Sequence, residues 1–130
     1  MKHFYNIYNA SAGSGKTFNL VKEYLKILLI DNQIDSYKNI LSITFTNKAV
    51  NEMKSRIIES LNQLTKIETN EKNNPLLNSI KKETDLNNEE IQLKSISILK
   101  SILINYASFD ISTIDKFTQK IIRNFAYEIK

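Results

Sequence analysis

The chain has 130 residues, 42% of them hydrophobic and 25% charged, which is ordinary for one globular domain. The absence of cysteine excludes disulfide frameworks, iron–sulfur clusters, Cys-ligated zinc and thiol catalysis, and a single histidine, His3, argues against a Ser-His-Asp triad. The net charge of +4 suits an anionic partner without establishing one, and the lack of a membrane-length apolar run or a secretory signal predicts a cytoplasmic protein with no membrane partner.

Strands and helices alternate in the first half of the predicted structure. Residues 4–8 predict a strand, residues 9–16 a loop of small residues, and residues 17–30 a helix with apolar residues at helical spacing, which Asp31 ends. Residues 39–45 predict a second, buried strand. A half-exposed helix follows, and its apolar face consists of Val50, Met53, Ile57, Leu61 and Leu64.

The second half begins with a polar segment. Residues 66–90 carry charges of both signs and the only proline, Pro75, which predicts a mobile, partly helical excursion. A helix is predicted near residues 89–106, with one stripe formed by Ile96, Leu99, Leu103 and Tyr106. Residues 108–114 predict a third strand. Residues 115–130 predict a last helix, with one face formed by Phe117, Ile121, Phe125 and Ile129.

This order predicts an α/β fold in which helices cover a parallel sheet. Three strands make a thin sheet with exposed edges. We therefore expect the chain to be the front portion of a larger α/β domain.

Both glycines of the chain fall in one loop, which reads ASAGSGKT over residues 10–17. The string fits the P-loop pattern G-x-x-x-x-G-K-[ST] except that Ala10 replaces the first glycine, and it lies between a predicted strand and a predicted helix. Small residues let successive N–H groups surround phosphates, and the helix start adds its positive end. The predicted phosphate-binding residues are Ala10, Ser11, Ala12, Gly13, Ser14, Gly15, Lys16 and Thr17.

Two of these residues are expected to contact the phosphates and the metal ion through their side chains. We expect Lys16 to reach the β and γ phosphates of ATP and the Thr17 hydroxyl to bind Mg²⁺. The structural alternative is a Gly-Ser turn that only caps a helix.

Two further strings accompany the loop ASAGSGKT: ITFTNKAVNEMKSRI over residues 43–57 and STIDKF over residues 112–117. In this order, the three strings resemble the P-loop, motif Ia and the Thr-Ile-His/Asp-Ser-Phe element of superfamily-one DNA helicases of the UvrD/Rep type. The resemblance is closest to the RecB/AddA-like helicase–nuclease branch. The resemblance implies a RecA-like P-loop NTPase fold, incomplete here. Residues 1–130 would be the N-terminal part of the ATP-binding domain, with residues 66–106 as a polar, helical excursion within it.

By matching position, the resemblance also implies contacts with single-stranded DNA at Thr44, Phe45, Thr46, Asn47, Thr113 and Asp115. An aromatic ring can stack on a base, and hydroxyl, amide and N–H groups at a helix start suit phosphates. The residues themselves leave other roles open: Phe45 as a core aromatic, and Asn47 or Asp115 as a helix cap. The cations Lys48, Lys54 and Arg56 suit a solvated helix face equally well.

Several parts of a helicase active site have no counterpart in the sequence. No acid pair on an apolar strand follows the P-loop, no Gln precedes Gln33, and the only arginines are Arg56 and Arg123. The resemblance implies an ATP-dependent 3′-to-5′ DNA helicase of repair or recombination, partnered by the rest of the helicase polypeptide and by a second helicase–nuclease subunit. We expect these 130 residues alone to bind MgATP weakly and not to unwind DNA, so whether they are an enzyme by themselves stays open. The alternatives are a non-enzymatic nucleotide- or DNA-binding module and a small P-loop kinase, the latter disfavoured by the lack of an Arg-rich lid.

Overall fold

The computed structural model describes residues 5–9, 15–67 and 74–128, which hold five α-helices and two strands. In chain order these elements are α1 (Lys16–Ile30), β1 (Ser42–Thr44), α2 (Asn47–Leu64), α3 (Pro75–Glu83), α4 (Asn88–Ile104), β2 (Ile111–Thr113) and α5 (Ile114–Glu128). Short 3₁₀ turns precede each strand, at Ser36–Asn39 and Tyr106–Ser108. None of the described helices is long and apolar enough to cross a membrane.

The sheet consists of β1 and β2, which are parallel and pair in the register Ser42 with Ile111, Ile43 with Ser112 and Thr44 with Thr113. The connection between them contains α2, α3 and α4, since parallel strands need a crossover of a dozen residues or more. Both strands lie inside their predicted ranges but are shorter. The α/β class predicted from the alternation is therefore confirmed in its coarse form.

The predicted first strand is wrong over its described residues. Residues 5–8 form no strand, and the side chains of Tyr5 and Ile7 are 90% and 89% exposed. Residue 4 lies outside the described part of the chain. A strand without a hydrogen-bonded neighbour leaves its N–H and C=O groups unpaired, so an apolar sequence pattern does not by itself form one.

The core lies around α2, which packs against α1, α4 and both strands. The predicted face of α2 is confirmed at Met53, Ile57, Leu61 and Leu64, all buried, while Val50 is half-buried. The predicted helix over residues 17–30 is also confirmed, and it ends at Asp31 as expected. Its buried residues are Val21, Tyr24, Leu25, Leu28 and Leu29.

The segment over residues 66–90 is partly helical, as predicted, and its helix α3 packs against α1. Pro75 occupies the first turn, where its missing N–H costs no hydrogen bond. The Asn74 side chain accepts hydrogen bonds from the N–H groups of Leu76 and Leu77, both 3.1 Å away. Because Leu76, Leu77 and Ile80 are buried, α3 contributes to the core.

The apolar stripe predicted on α4 is not the face that the helix buries. Ile96, Leu103 and Tyr106 are exposed and Leu99 is half-buried, whereas the buried face consists of Ile91, Ser95, Ile98 and Ile102. The helix itself is confirmed. It carries apolar residues on both sides, so helical spacing alone cannot select the side that packs.

The predicted apolar face of α5 exists but is not buried. Phe117 is half-buried, while Ile121 and Phe125 are exposed, and no residue of α5 is buried among those described. Ile129 lies outside the described residues. Among the described elements, α5 contacts mainly the two strands.

Phe109, fully buried just before β2, is the centre of an aromatic cluster. Its ring meets those of Tyr24, Tyr37 and Tyr106 edge to face, with centroids 6.1, 6.3 and 6.1 Å away. The Lys54 ammonium lies 5.0 Å from the Tyr106 centroid and 5.5 Å from that of Phe109. This contact joins α2 to the segment that leads into β2, so Lys54 has a structural role.

We expect Phe109→Ala to lower the free energy of unfolding by about 3–5 kcal/mol, because it leaves a cavity among three rings. Phe45→Ala is the matched control, since the Phe45 side chain is 85% exposed and its removal should change stability by less than about 0.5 kcal/mol. Urea unfolding followed by circular dichroism measures both. Equal losses in the two variants would contradict this description of the core.

Candidate functional site

Helix α1 begins at the end of the predicted phosphate loop. Gly15 lies immediately before it with φ +61° and ψ −17°, a left-handed conformation that glycine adopts without strain. A Cβ at this position would meet nothing within 4 Å, so the requirement for glycine comes from the backbone angle and not from space. Lys16 is exposed in the first turn and Thr17 is half-buried beside it. The other predicted loop residues, Ala10, Ser11, Ala12, Gly13 and Ser14, lie outside the described residues.

The start of α1 differs from those of the other described helices. Four of the five begin with a side-chain oxygen that accepts an N–H group of the first turn: Thr46 for α2, Asn74 for α3, Asn87 for α4 and Thr113 for α5. Among the described residues, no side chain caps α1, and its first turn carries no acidic residue. The first N–H groups lie at the positive end of the helix dipole, and no described side chain occupies them, so they suit an anion.

The described residues around Thr17 fit a magnesium ion carried by a nucleotide. They contain no group of three or more His, Asp or Glu side chains arranged to hold a metal. Mg²⁺ in phosphate sites takes few protein ligands and completes its shell with phosphate oxygens and water. One hydroxyl, from Thr17, is a fitting protein ligand for such an ion.

The six predicted DNA contacts lie together at the carboxyl ends of β1 and β2. Thr44 and Thr113 are paired across the sheet and end their strands. Residues 45–47 continue from β1 into α2, and Asp115 lies in the first turn of α5, which follows β2 directly. We call this set, Thr44, Phe45, Thr46, Asn47, Thr113 and Asp115, the carboxyl edge. No hydrogen bond or ion pair among the described residues joins it to Lys16 or Thr17.

Threonine hydroxyls fix the geometry of the carboxyl edge. The Thr46 Oγ1 accepts a hydrogen bond from the N–H of Ala49 at 3.1 Å, and the Thr44 hydroxyl donates to the carbonyl oxygen of Thr46 at 3.2 Å. On the second strand, the buried Thr113 Oγ1 accepts from the N–H of Lys116 at 3.2 Å. The same arrangement thus occurs twice, at two neighbouring strands: each strand is followed by a helix whose first turn is capped by a threonine.

The structure decides between the roles left open for three of these residues. Phe45 is not a core aromatic, because its ring is exposed to solvent. The cap of α2 is Thr46 and not Asn47, and the hydroxyl that caps α5 belongs to Thr113 and not to Asp115. Asn47 and Asp115 are both exposed, at the starts of the two helices.

The cationic side chains near the carboxyl edge differ in their contacts with the rest of the protein. Arg56 is paired with Glu52 at 2.9 Å and Lys54 lies over aromatic rings, so both have structural partners. Lys48 and Lys116 are exposed in the first turns of α2 and α5, next to the carboxyl edge. Sequence reasoning missed Lys116, although its place just after the strand–helix junction was the available signal.

Comparisons with known proteins identify the family of the chain. Residues 5–130 match the profile described as UvrD/REP helicase N-terminal domain. Over 121 residues, 93% of this chain, it is 34% and 36% identical to subunits of the ATP-dependent helicase/nuclease of Lactobacillus gasseri and of Lactobacillus johnsonii. Over 54 residues, 42% of this chain, it is 56% identical to the RecBCD enzyme subunit RecB of Chlamydia muridarum. The chain spans 8% of the first two relatives and 5% of the third, and no solved structure matches it.

We expect Thr46→Ala to lower the free energy of unfolding by about 0.5–2 kcal/mol, because it leaves the first turn of α2 without its acceptor. Thr46→Ser keeps the oxygen and should lose much less. Thermal or urea unfolding of the two variants compares them directly. If the alanine and serine variants are equally stable, the hydroxyl does not cap α2.

Proposed function

The chain belongs to the UvrD/REP helicase family, and from that premise we infer that it binds the phosphates of ATP, with Mg²⁺, at the start of α1. We propose that this binding serves an ATP-dependent DNA helicase of repair or recombination that moves 3′ to 5′. The observation that carries the proposal is the uncapped start of α1, preceded by the left-handed Gly15 and followed by Lys16 and Thr17. Each of the other described helices satisfies its first turn with a side chain of the protein.

The groups at the start of α1 are proposed to have different roles in binding the nucleotide. The free N–H groups and the dipole of α1 attract the phosphates, and the Lys16 ammonium supplies a point charge for the β and γ phosphates. The Thr17 hydroxyl is proposed to hold the ion that accompanies the nucleotide. Magnesium, when bound, neutralises charge on the β and γ phosphates. The residues Ala10 to Ser14, which complete the loop in the sequence, are proposed to add further N–H groups.

Hydrolysis requires groups that these 130 residues do not provide. A water must be positioned and further cations must stabilise the γ-phosphate in the transition state. The sequence has no acid pair on an apolar strand after the loop, and Arg56 is held by Glu52. We therefore propose that the chain binds nucleotide but does not by itself turn it over or unwind DNA, and that it works together with other helicase segments and with a second subunit.

The carboxyl edge is proposed to bind single-stranded DNA. The exposed ring of Phe45 offers a face on which a base can stack. The Thr46 hydroxyl accepts a hydrogen bond as a cap, so its own hydrogen remains available to a phosphate oxygen. Lys48 and Lys116 add positive charge on either side. The Asp115 carboxylate would face a base or sugar, since it repels phosphate.

Lys16→Ala should abolish measurable binding of MgATP, because it removes the cation expected at the β and γ phosphates. Binding is measured by titrating the full chain with a fluorescent ATP analogue in the presence of Mg²⁺. Lys100→Ala is the matched control, since Lys100 is an exposed lysine of α4, and it should leave affinity unchanged. Unchanged affinity in Lys16→Ala would overturn the assignment of the phosphate site.

Phe45→Ala should weaken binding of single-stranded DNA by about 1–3 kcal/mol, because it removes a stacking surface. The control is Phe125→Ala, which removes another exposed phenylalanine, on α5. Fluorescence anisotropy with a labelled oligothymidylate measures both, and affinity should fall as salt rises because phosphate contacts release counterions. Equal effects of the two substitutions, or binding that does not respond to salt, would contradict a DNA-binding carboxyl edge.

A further inference from the structure

A group of charged side chains joins α1 to α3. The Glu83 carboxylate, at the end of α3, accepts hydrogen bonds from the Nζ atoms of Lys22 and Lys26 at 2.7 and 2.6 Å. Glu23, on α1, pairs with Lys26 at 2.9 Å and lies 3.5 Å from Lys22. We call these four residues, Lys22, Glu23, Lys26 and Glu83, the Glu83 clamp. Sequence reasoning missed it because Glu83 lies in the polar segment, which contains no recognisable motif.

The Glu83 clamp is more than an ordinary surface ion pair. Isolated exposed pairs contribute about 0–1 kcal/mol, because water screens them and two side chains lose freedom. Here one carboxylate shares two ammonium groups, and the four side chains are between 13% and 37% exposed. The hydrogen bonds from Lys22 and Lys26 hold the pKa of Glu83 below its usual range, and the bond to Glu83 raises the pKa of Lys22. Glu83 and Lys22 therefore stay charged across neutral pH.

The clamp also lies near the chain that precedes the phosphate loop. Tyr8 comes just before the loop, and desolvation together with the nearby Glu23 carboxylate raises the pKa of its hydroxyl. Lys22 lies six residues after Lys16 on the same helix, a rise of about 9 Å. The Glu83 clamp therefore lies near the chain on both sides of the loop.

The far end of α1 is held separately. The Lys94 ammonium, on α4, donates hydrogen bonds to the carbonyl oxygens of Leu29 and Asp31 at 2.7 and 3.1 Å. Helix α1 is therefore fixed at its carboxyl end by Lys94 and along its length by the Glu83 clamp. In the part of the chain that the structure describes, no side chain caps its start.

We propose that Glu83 is a positioning residue for nucleotide binding: through Lys22 and Lys26 it fixes the direction in which α1 presents Lys16 and Thr17 to the phosphates. This rests on the phosphate site proposed above. A shift of about 1 Å in a binding group is enough to weaken an oriented interaction strongly. Because coupling between sites is reciprocal, bound nucleotide should in turn steady α3.

The test is Glu83→Gln, which keeps the size of the side chain and removes its charge. We expect the dissociation constant of the fluorescent MgATP analogue to rise about twofold to tenfold, measured at a temperature where circular dichroism shows both proteins fully folded. Asp35→Asn is the matched control, because it removes one partner of the exposed Asp35–Lys38 pair, at 3.1 Å, and should leave affinity unchanged. The difference between wild type and Glu83→Gln should become smaller at high salt, because salt partly screens the clamp charges.

A second readout separates positioning from general stability. Nucleotide should slow hydrogen exchange of the α3 amides in the wild type and not in Glu83→Gln. If Glu83→Gln fails to fold, Lys26→Gln, which removes only one of the two cations, gives the same comparison. Wild-type affinity in the Glu83 variant, with binding still lost in Lys16→Ala, would overturn the positioning role alone. If Lys16→Ala binds normally, the phosphate site and the positioning role are both overturned.

Discussion

The parallel pairing of β1 with β2 is the constraint on which the described structure depends. Parallel strands cannot be joined by a tight turn, so the chain must travel through α2, α3 and α4 before it returns to the sheet. Parallel strands also end at the same edge. The pairing of Thr44 with Thr113 therefore brings the starts of α2 and α5 together. As a result, the residues of the carboxyl edge lie side by side although they come from two distant parts of the sequence.

Sequence patterns predicted the features that are decided locally. Helices α1 and α2 and the buried face of α2 follow from helical spacing, and the glycine, lysine and threonine at the start of α1 follow from a contiguous string. The features that were missed depend on distant partners. An apolar pattern could not say that residues 5–8 have no neighbouring strand, or which of the two apolar sides of α4 packs. The Glu83 clamp joins residues about sixty positions apart, for which no spacing rule exists.

The candidate site divides in the same way. Its residue types were predictable, because each phosphate or DNA candidate belongs to a recognisable motif. The role of each hydroxyl was not, since caps depend on where the backbone leaves the strand. Thr46 and Thr113 act as caps, in place of Asn47 and Asp115, because the helices begin a residue or two earlier than the polar pattern suggested. The exposure of Phe45 could be known only from the packing of the whole structure, since an aromatic residue after a buried strand fits a core equally well.

The distance along the chain between β1 and β2 bears on how the protein acquires its shape. Bringing the two strands together closes a large loop, whose entropic cost must be met before any strand hydrogen bond forms. Helix α1 forms its start from neighbouring residues, whereas the Glu83 clamp that joins α1 to α3 connects residues about sixty positions apart. The start of α1 is thus built by fast, local steps, while the clamp and the carboxyl edge depend on non-local contacts. A chain released gradually during synthesis would gain the start of α1 first, the clamp after α3, and the carboxyl edge only after β2 has emerged.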